Sequence, residues 1–195
     1  MGGLEMSEEP FLPPLSTEVD GLTIRSWQAG DGSTLAEVGN ASFEHLRPWM
    51  PWASDSDTPE EAEARVRQFA GAYLCNQDFV LSVWEGDTLI GGTGFHLRSG
   101  PIKHRNAEIG MWVRGDRAGQ GYGTRILRAM VDWGFGEWGW ERLVWVCETE
   151  NKASSRTAEK AGLTLEATLR EDRLNTAGEH ASSEIWAIIP DDLTS

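Results

Sequence analysis

The chain has 195 residues, 39% hydrophobic and 25% charged, the size and make-up of one globular domain with a real core. Its 31 acidic against 17 basic side chains give a formal net charge of −14, which argues against general nucleic-acid binding because no broad phosphate-neutralising surface is on offer. No apolar stretch approaches the ~20 residues needed to span a bilayer, which argues against a membrane protein.

In chain order, residues 1–17, rich in Glu, Pro and Gly, read as a frayed tail ahead of a domain over 18–190, with 191–195 as a C-terminal tail. The start lacks the basic and apolar regions of a signal peptide, so a cytoplasmic protein is expected. "VDGLTIRSW" alternates as a first strand. From Thr34 to about Trp52 the pattern is helical and then aromatic and prolyl, "HLRPWMPW". Thr58-Pro59-Glu60-Glu61 is a strong helix start, with Thr58 as N-cap, Pro59 at the first helical position and Glu61 as capping-box partner. That helix is expected to run to about Cys75. "DFVLSVWEGDTLIGGTGFHL" reads as a hairpin turning at Glu85-Gly86-Asp87, and "HRNAEIGMWV" as a further strand.

After "RAGQGYGTRIL", residues 117–127, the apolar positions Ile126, Leu127, Met130 and Trp133 make one buried helical stripe. "RLVWVCE" is almost wholly apolar, as expected of a central strand covered on both faces. A short helix from Asn151 to Ala161 is closed by Gly162, and "LTLEATLRE" and "SEIWAIIP" supply the last strands. The expected architecture is one α+β domain: a mixed, mostly antiparallel sheet of about seven strands with helices on both faces. Cys75 and Cys147 are too few for a disulfide framework and read as buried, reduced thiols. The four histidines show no metal spacing, so no metal is expected.

Gly119, Gly121 and Gly123 stand at alternate positions on the threshold of a helix, where glycine is a poor choice. A phosphate-binding P-loop needs a Gly-Lys-Ser/Thr that is missing, and a dinucleotide loop needs GxGxxG near the first strand. Two readings survive on the residues alone. One is a flexible turn without a ligand. The other is a strand-to-helix turn whose free N–H groups and helix dipole hold a pyrophosphate, with Arg117 and Arg125 adding positive charge.

The stretch "AEIGMWVRGDRAGQGYGTRIL" followed by "ERLVWVCETENKASSRTAEKAGL" resembles the GCN5-related N-acetyltransferases (GNAT), in the branch of ribosomal-protein N-acetyltransferases of RimJ/RimL type. The likeness runs over about residues 18–190 and includes "HLRPWMPWA", similar to an acceptor-pocket segment of that branch. It implies that a (Q/R)xxGx(G/A) loop, here Ala118, Gly119, Gln120, Gly121, Tyr122 and Gly123, binds the pyrophosphate of acetyl-CoA. Ala118 stands where Gln or Arg is usual, with Arg117 one residue earlier. The implied cofactor site also takes in Thr124, the backbone of Met111, Trp112 and Val113 along the pantetheine, and Asn151 and Ser154 from the following helix.

The implied reaction is attack of an amine on the acetyl thioester, and only the neutral amine attacks. At pH 7 neutralising an α-amino group (pKa ~8) costs about 1.4 kcal/mol, against about 4.6 kcal/mol for a lysine at ~10.4. The α-amine of a protein or peptide is therefore the favoured acceptor. A small-molecule amine such as an antibiotic or polyamine is the alternative, and a non-catalytic acyl-CoA binder a third.

Glu108 is the first candidate base; strand alternation sets it with Gly110 and Trp112 on one face. A salt-bridged strand-end carboxylate, with Arg105 as partner, is the competing reading. Glu44, His45, Asp55, Glu171 and Asp172 are weaker candidates. By resemblance Ser154 is the general acid at the thioester sulfur, with Ser155 as the alternative, although serine in a first helical turn also commonly bonds the backbone. Trp49 and Trp52, flanked by Pro48 and Pro51, are expected to wall the acceptor pocket, with Glu44 as a substrate contact. Trp133, Trp138, Trp140, Trp145 and Trp186 are assigned to packing. Whether a homodimer completes the pocket is left open.

Overall fold

The computed structural model describes residues 10–194. The opening strand expected from "VDGLTIRSW" is present, and a further strand precedes it, beginning at Ser16 inside the stretch expected as tail. β1 (Ser16–Val19) and β2 (Leu22–Ser26) pair antiparallel across Asp20 and Gly21, at φ 50° and 75°, the geometry of a two-residue hairpin turn. The chain just before them is anchored rather than frayed. Phe11 packs on Phe79, Trp138 and Trp140 with ring centroids 5.9, 6.2 and 5.6 Å away, and the Pro14 carbonyl accepts from the Tyr73 hydroxyl. Residues 1–9 of the expected tail lie outside the described residues; at the other end, Pro190–Thr194 form a 3-10 turn.

Helix α1 (Gly32–Ala41) is followed after Ser42 by the single turn α2 (Phe43–Leu46), so the helical pattern stops six residues short of Trp52. α3 (Pro59–Leu74) starts as its sequence dictates. Thr58 Oγ1 accepts from the Glu61 N–H at 3.2 Å while Glu61 Oε2 accepts from the Thr58 N–H at 2.9 Å. Removing this box with Thr58→Ala should cost about 1 kcal/mol and lower the melting temperature by roughly 2–4 °C, read by calorimetry; an unchanged melt would show that the cap contributes nothing. Cys75 caps the far end of α3 and is exposed, against expectation, because the stripe that faces the sheet (Ala62, Val66, Tyr73) does not include it. Cys147 is buried.

The remaining elements are β3 (Phe79–Glu85), β4 (Thr88–His96), β5 (Asn106–Val113), a 3-10 turn at Gly115–Arg117, α4 (Tyr122–Gly136), β6 (Arg142–Glu148), α5 (Lys152–Lys160), β7 (Thr164–Leu174) and β8 (His180–Ile188). They form one eight-stranded sheet in the order β1-β2-β3-β4-β5-β6-β8-β7. The extra strand beyond the expected seven comes from the opening hairpin. Period-two alternation in β3 sends Phe79, Leu81 and Val83 to the cluster that includes α4, and Val80 and Trp84 to the one built with α1 and α3. Helices therefore cover both faces of the sheet. Trp138 sits at the centre of the larger cluster, 4.8 Å from Phe95 and 5.0 Å from Phe79. No helix among the described residues is long and apolar enough to cross a membrane.

One junction differs from the rest. All neighbouring strands are antiparallel except β5 and β6, which run parallel and pair only at Asn106–Arg142, Ala107–Leu143 and Glu108–Val144. Beyond Glu108 the two strands part, and the β6-facing edge of β5 keeps backbone groups without a ladder partner. Such groups can be met by water or by a ligand laid along the strand. The wedge between the strands is where the site lies.

Candidate active site

Past β5 the chain makes the 3-10 turn, extends at Ala118 (φ −61°, ψ 146°) and then enters α4 through Gly119 (φ 74°) and Gly121 (φ 87°). Gly121 is the N-cap, and no side chain caps the helix. Among the described residues, the main-chain N–H groups of 119–124 donate no hydrogen bond. Left-handed φ at Gly119 and Gly121 exposes this run of amides at the positive end of a fifteen-residue helix. Gly123 serves packing instead: a Cβ there would stand 3.4 Å from Thr157 Oγ1 of α5.

A groove of about 410 Å³ opens along this loop into the wedge. β5 lines it with Met111, Trp112 and Val113, the loop and α4 with Arg117, Ala118, Gly119, Gly121, Gly123 and Thr124, and α5 with Asn151 and Ser154. The structure thus gathers most of the expected cofactor residues in one place. Two expected side chains turn elsewhere. Gln120 donates back to the Asp116 carbonyl, and the Tyr122 hydroxyl donates to Glu85 Oε2 at 2.8 Å. Arg125 also leaves the groove: it stacks on Tyr122 and donates to the Asp20 carbonyl, since its place one turn into α4 faces the opening hairpin. Arg117 stays, with its Nε buried and unpartnered among the described residues.

Sequence reasoning passed over Met50, Trp145, Arg156 and Lys160, which also line the groove. Arg156 and Lys160, four residues apart, share a helical face with Lys152, a spacing legible in "KASSRTAEK". Trp145, assigned to packing, also orients the site. Its indole Nε1 donates to Ser154 Oγ at 3.0 Å, so the hydroxyl accepts there. Ser155 is committed elsewhere: its Oγ donates to the Asn151 carbonyl and lies 3.7 Å from Cys147 Sγ. Burial pushes the Cys147 thiol up and keeps it protonated. Asn151 is the N-cap of α5, its Oδ1 accepting from the Ser154 N–H at 3.1 Å.

Glu108 stands at the last paired position before the strands part, outside the groove lining. Its Oε1 is paired with Arg98, not Arg105, because Arg105 turns its guanidinium onto the Phe11 ring at 5.0 Å. Trp52 meets the groove-lining Trp112 edge to face at 5.9 Å and is half exposed. The segment carrying Trp49, Met50 and Trp52 is tied down at its end by Asp57: its N–H donates to Asn40 Oδ1 at 3.0 Å, its carbonyl accepts from Asn40 Nδ2 at 2.9 Å, and both its carboxylate oxygens accept from the Arg65 guanidinium. The Arg65 guanidinium holds the Asp57 carboxyl below the usual carboxylate range. Glu44 is exposed and bonded to Arg47 at 2.9 Å, away from the groove; the one-turn α2 presents it outward. Among the described residues no cluster of three or more His, Cys, Asp or Glu side chains could hold a metal.

A family model of the acetyltransferase (GNAT) domain matches residues 21–164. The chain belongs to the GNAT family. The uncharacterized N-acetyltransferase YoaA of Bacillus subtilis (strain 168) is 32% identical over 114 residues, which is 57% of this chain and 63%, under two thirds, of that relative. Among solved structures, the ribosomal-protein-S5-alanine acetyltransferase from Vibrio fischeri superposes with a TM-score of 0.79 at 21% identity, over 92% of this chain and 98% of that one. The microcin C7 self-immunity acetyltransferase MccE, solved with acetyl-CoA and AMP, gives 0.78 at 20% identity over 88% and 93%. These structural likenesses establish that the GNAT fold is shared.

Proposed function

We propose that this GNAT protein acetylates a primary amine, with the α-amino group of a protein or peptide as the favoured acceptor. The observation that carries the reading is the run of unused N–H groups at 119–124, set at the mouth of the wedge between β5 and β6. They suit a diphosphate, and the orphaned Arg117 Nε supplies a cationic donor beside them. The free edge of β5 at Met111–Val113 suits an amide-bearing arm laid alongside it as a short added strand. Bound there, acetyl-CoA supplies an activated acetyl group as its thioester.

The chain's own residues then have distinct tasks. Glu108, with Oε2 free of described bonds, draws in the acceptor ammonium and is the first group to take its proton, directly or through a water. The indoles of Trp52 and Trp112 wall the acceptor side. Ser154 donates its hydroxyl proton toward the departing sulfur. A thiol leaves readily with a pKa near ~8.5, so Ser154→Ala should slow turnover only several-fold. An unchanged rate after replacing both Ser154 and Ser155 would remove that role.

One contact favours a second reading. Thr176 Oγ1, at the tip between β7 and β8, donates to the Pro48 carbonyl at 3.0 Å and so bridges the aromatic segment. A bridged acceptor side suits a small amine, an antibiotic or polyamine. Thiol release from acetyl-CoA, followed against peptide N-termini, polyamines and aminoglycosides, separates the readings. Peptide-only turnover supports the first and small-amine turnover the second; binding without transfer to any of them would mark a non-catalytic binder.

A further inference from the structure

The same face of the sheet as Glu108 and Trp112 also holds a histidine. His96 ends β4 in register with Glu108 of β5, so the two are cross-strand neighbours. Its Nδ1 lies 2.8 Å from Asp78 Oδ1, an oxygen that also accepts from the Phe79 N–H at 3.1 Å. A carboxylate at Nδ1 fixes the tautomer: the proton sits on Nδ1 and the Nε2 lone pair is left unpaired. Among the described residues, Nε2 has no hydrogen-bond partner, and the side chain keeps 17% of its surface exposed, enough for a water or an amine to reach it.

The glycines of this face make room for that ring. A methyl group at Gly110 would stand 2.7 Å from His96 Nε2, and one at Gly94 3.3 Å. One strand position along, a methyl at Gly92 would stand 2.4 Å from Trp112 Nε1. One face of β4 and β5 is thus a bare glycine floor with the Trp112 indole at one end and the His96 imidazole at the other. Glu108 stands beside His96 where the strands begin to part. The charged groups around the imidazole are Asp78 ahead of β3, Glu108 on β5 and Arg98 beyond β4, the last already paired with Glu108.

We propose that His96, oriented by Asp78, is the final acceptor of the proton lost by the substrate amine, an assignment that rests on the acetyl-transfer reading. The alkylammonium gives up one proton, by way of Glu108 or a water, to Nε2. The nitrogen lone pair forms the new C–N bond as the C–S bond breaks; the nitrogen then sheds its second proton to solvent, while the thiolate takes one from Ser154, which solvent reprotonates. The imidazolium then loses its proton to water, so that ammonium and thioester become amide, thiol and one free proton. An imidazole is by nature a stronger base than a carboxylate, and so a better final holder of a proton taken from an amine. Proton transfer is most effective when donor and acceptor are matched near the working pH.

The test compares wild type, His96→Gln and His96→Ala against a peptide amine. His96→Gln should bind acetyl-CoA within twofold of wild type by calorimetry. Its kcat/KM should fall about tenfold at pH 7 and lose the acidic limb between pH 5 and 8, where imidazoles change charge. Added free imidazole should restore much of the rate of His96→Ala, a response that a purely structural histidine would not give. An unchanged pH profile in an active His96→Gln enzyme, or no imidazole rescue in a His96→Ala protein that melts and binds like wild type, would overturn the assignment alone. A wild type that binds acetyl-CoA yet acetylates no amine would overturn it together with the transferase reading.

Discussion

Gly121→Glu is expected to weaken acetyl-CoA binding at least a hundredfold, about 2.7 kcal/mol, in a protein that still folds. No steric clash contributes, since a Cβ at this position would meet nothing within 4 Å. Two other effects do. Holding φ at 87° costs a side chain with a Cβ roughly 1–2 kcal/mol, a strain the loop relieves by shifting the amides it presents. A carboxylate at the N-cap then neutralises the positive end of α4 where the diphosphate is proposed to sit, so the helix terminus would serve the new side chain instead of the ligand. Gly121→Asn separates the two effects. Asparagine tolerates the left-handed region and carries no charge, so its binding should stay within several-fold of wild type. Titration calorimetry with acetyl-CoA, beside melting curves of the three proteins, decides the matter. Wild-type affinity in the glutamate variant would mean the phosphates rest elsewhere and would dismantle the cofactor placement.

What the sequence made legible was what local chemistry alone decides. Thr58, Pro59 and Glu61 specify their helix start within four residues, and the structure realises both reciprocal bonds. The glycines at 119 and 121 announce a loop with exposed amides for the same reason: left-handed φ is a single-residue property. The opening hairpin is hard to see although Asp20-Gly21 is a turn signal, because β1 has only four residues and just Val19 of them lies in the alternating run.

The less legible features all depend on register across the sheet. His96 is an unremarkable strand end until pairing sets it beside Glu108 and over Gly110. Met50 reaches the groove only because the segment after α2 folds back over β5. Trp145 looked like core and is core, yet its one polar atom orients Ser154, a contact that no spacing within β6 foretells. Arg98 rather than Arg105 holds Glu108, since Arg105 is claimed by a phenylalanine assigned to the tail.

Glu108→Gln should lower kcat/KM by about a hundredfold to a thousandfold at neutral pH, with acetyl-CoA affinity preserved. The glutamine is nearly isosteric, so packing against β4 and β6 survives, but two abilities vanish. An amide neither attracts an ammonium nor takes up its proton. The ion pair with Arg98 is lost as well, which raises the question of structural damage. Arg98 is 61% exposed, so that pair is screened and worth no more than about 1 kcal/mol to the fold. Arg98→Ala isolates this contribution. It removes the same ion pair but leaves the carboxylate, with both oxygens now open to an incoming amine. Its melting temperature should match that of Glu108→Gln while its activity stays at or above wild type. If Arg98→Ala falls as far as Glu108→Gln, the pair acts as a structural strut and the carboxylate is not the amine's receptor. If instead Glu108→Gln keeps full activity at pH 7, the amine sheds its proton without this carboxylate, and the acceptor side must be rebuilt around the histidine or solvent alone.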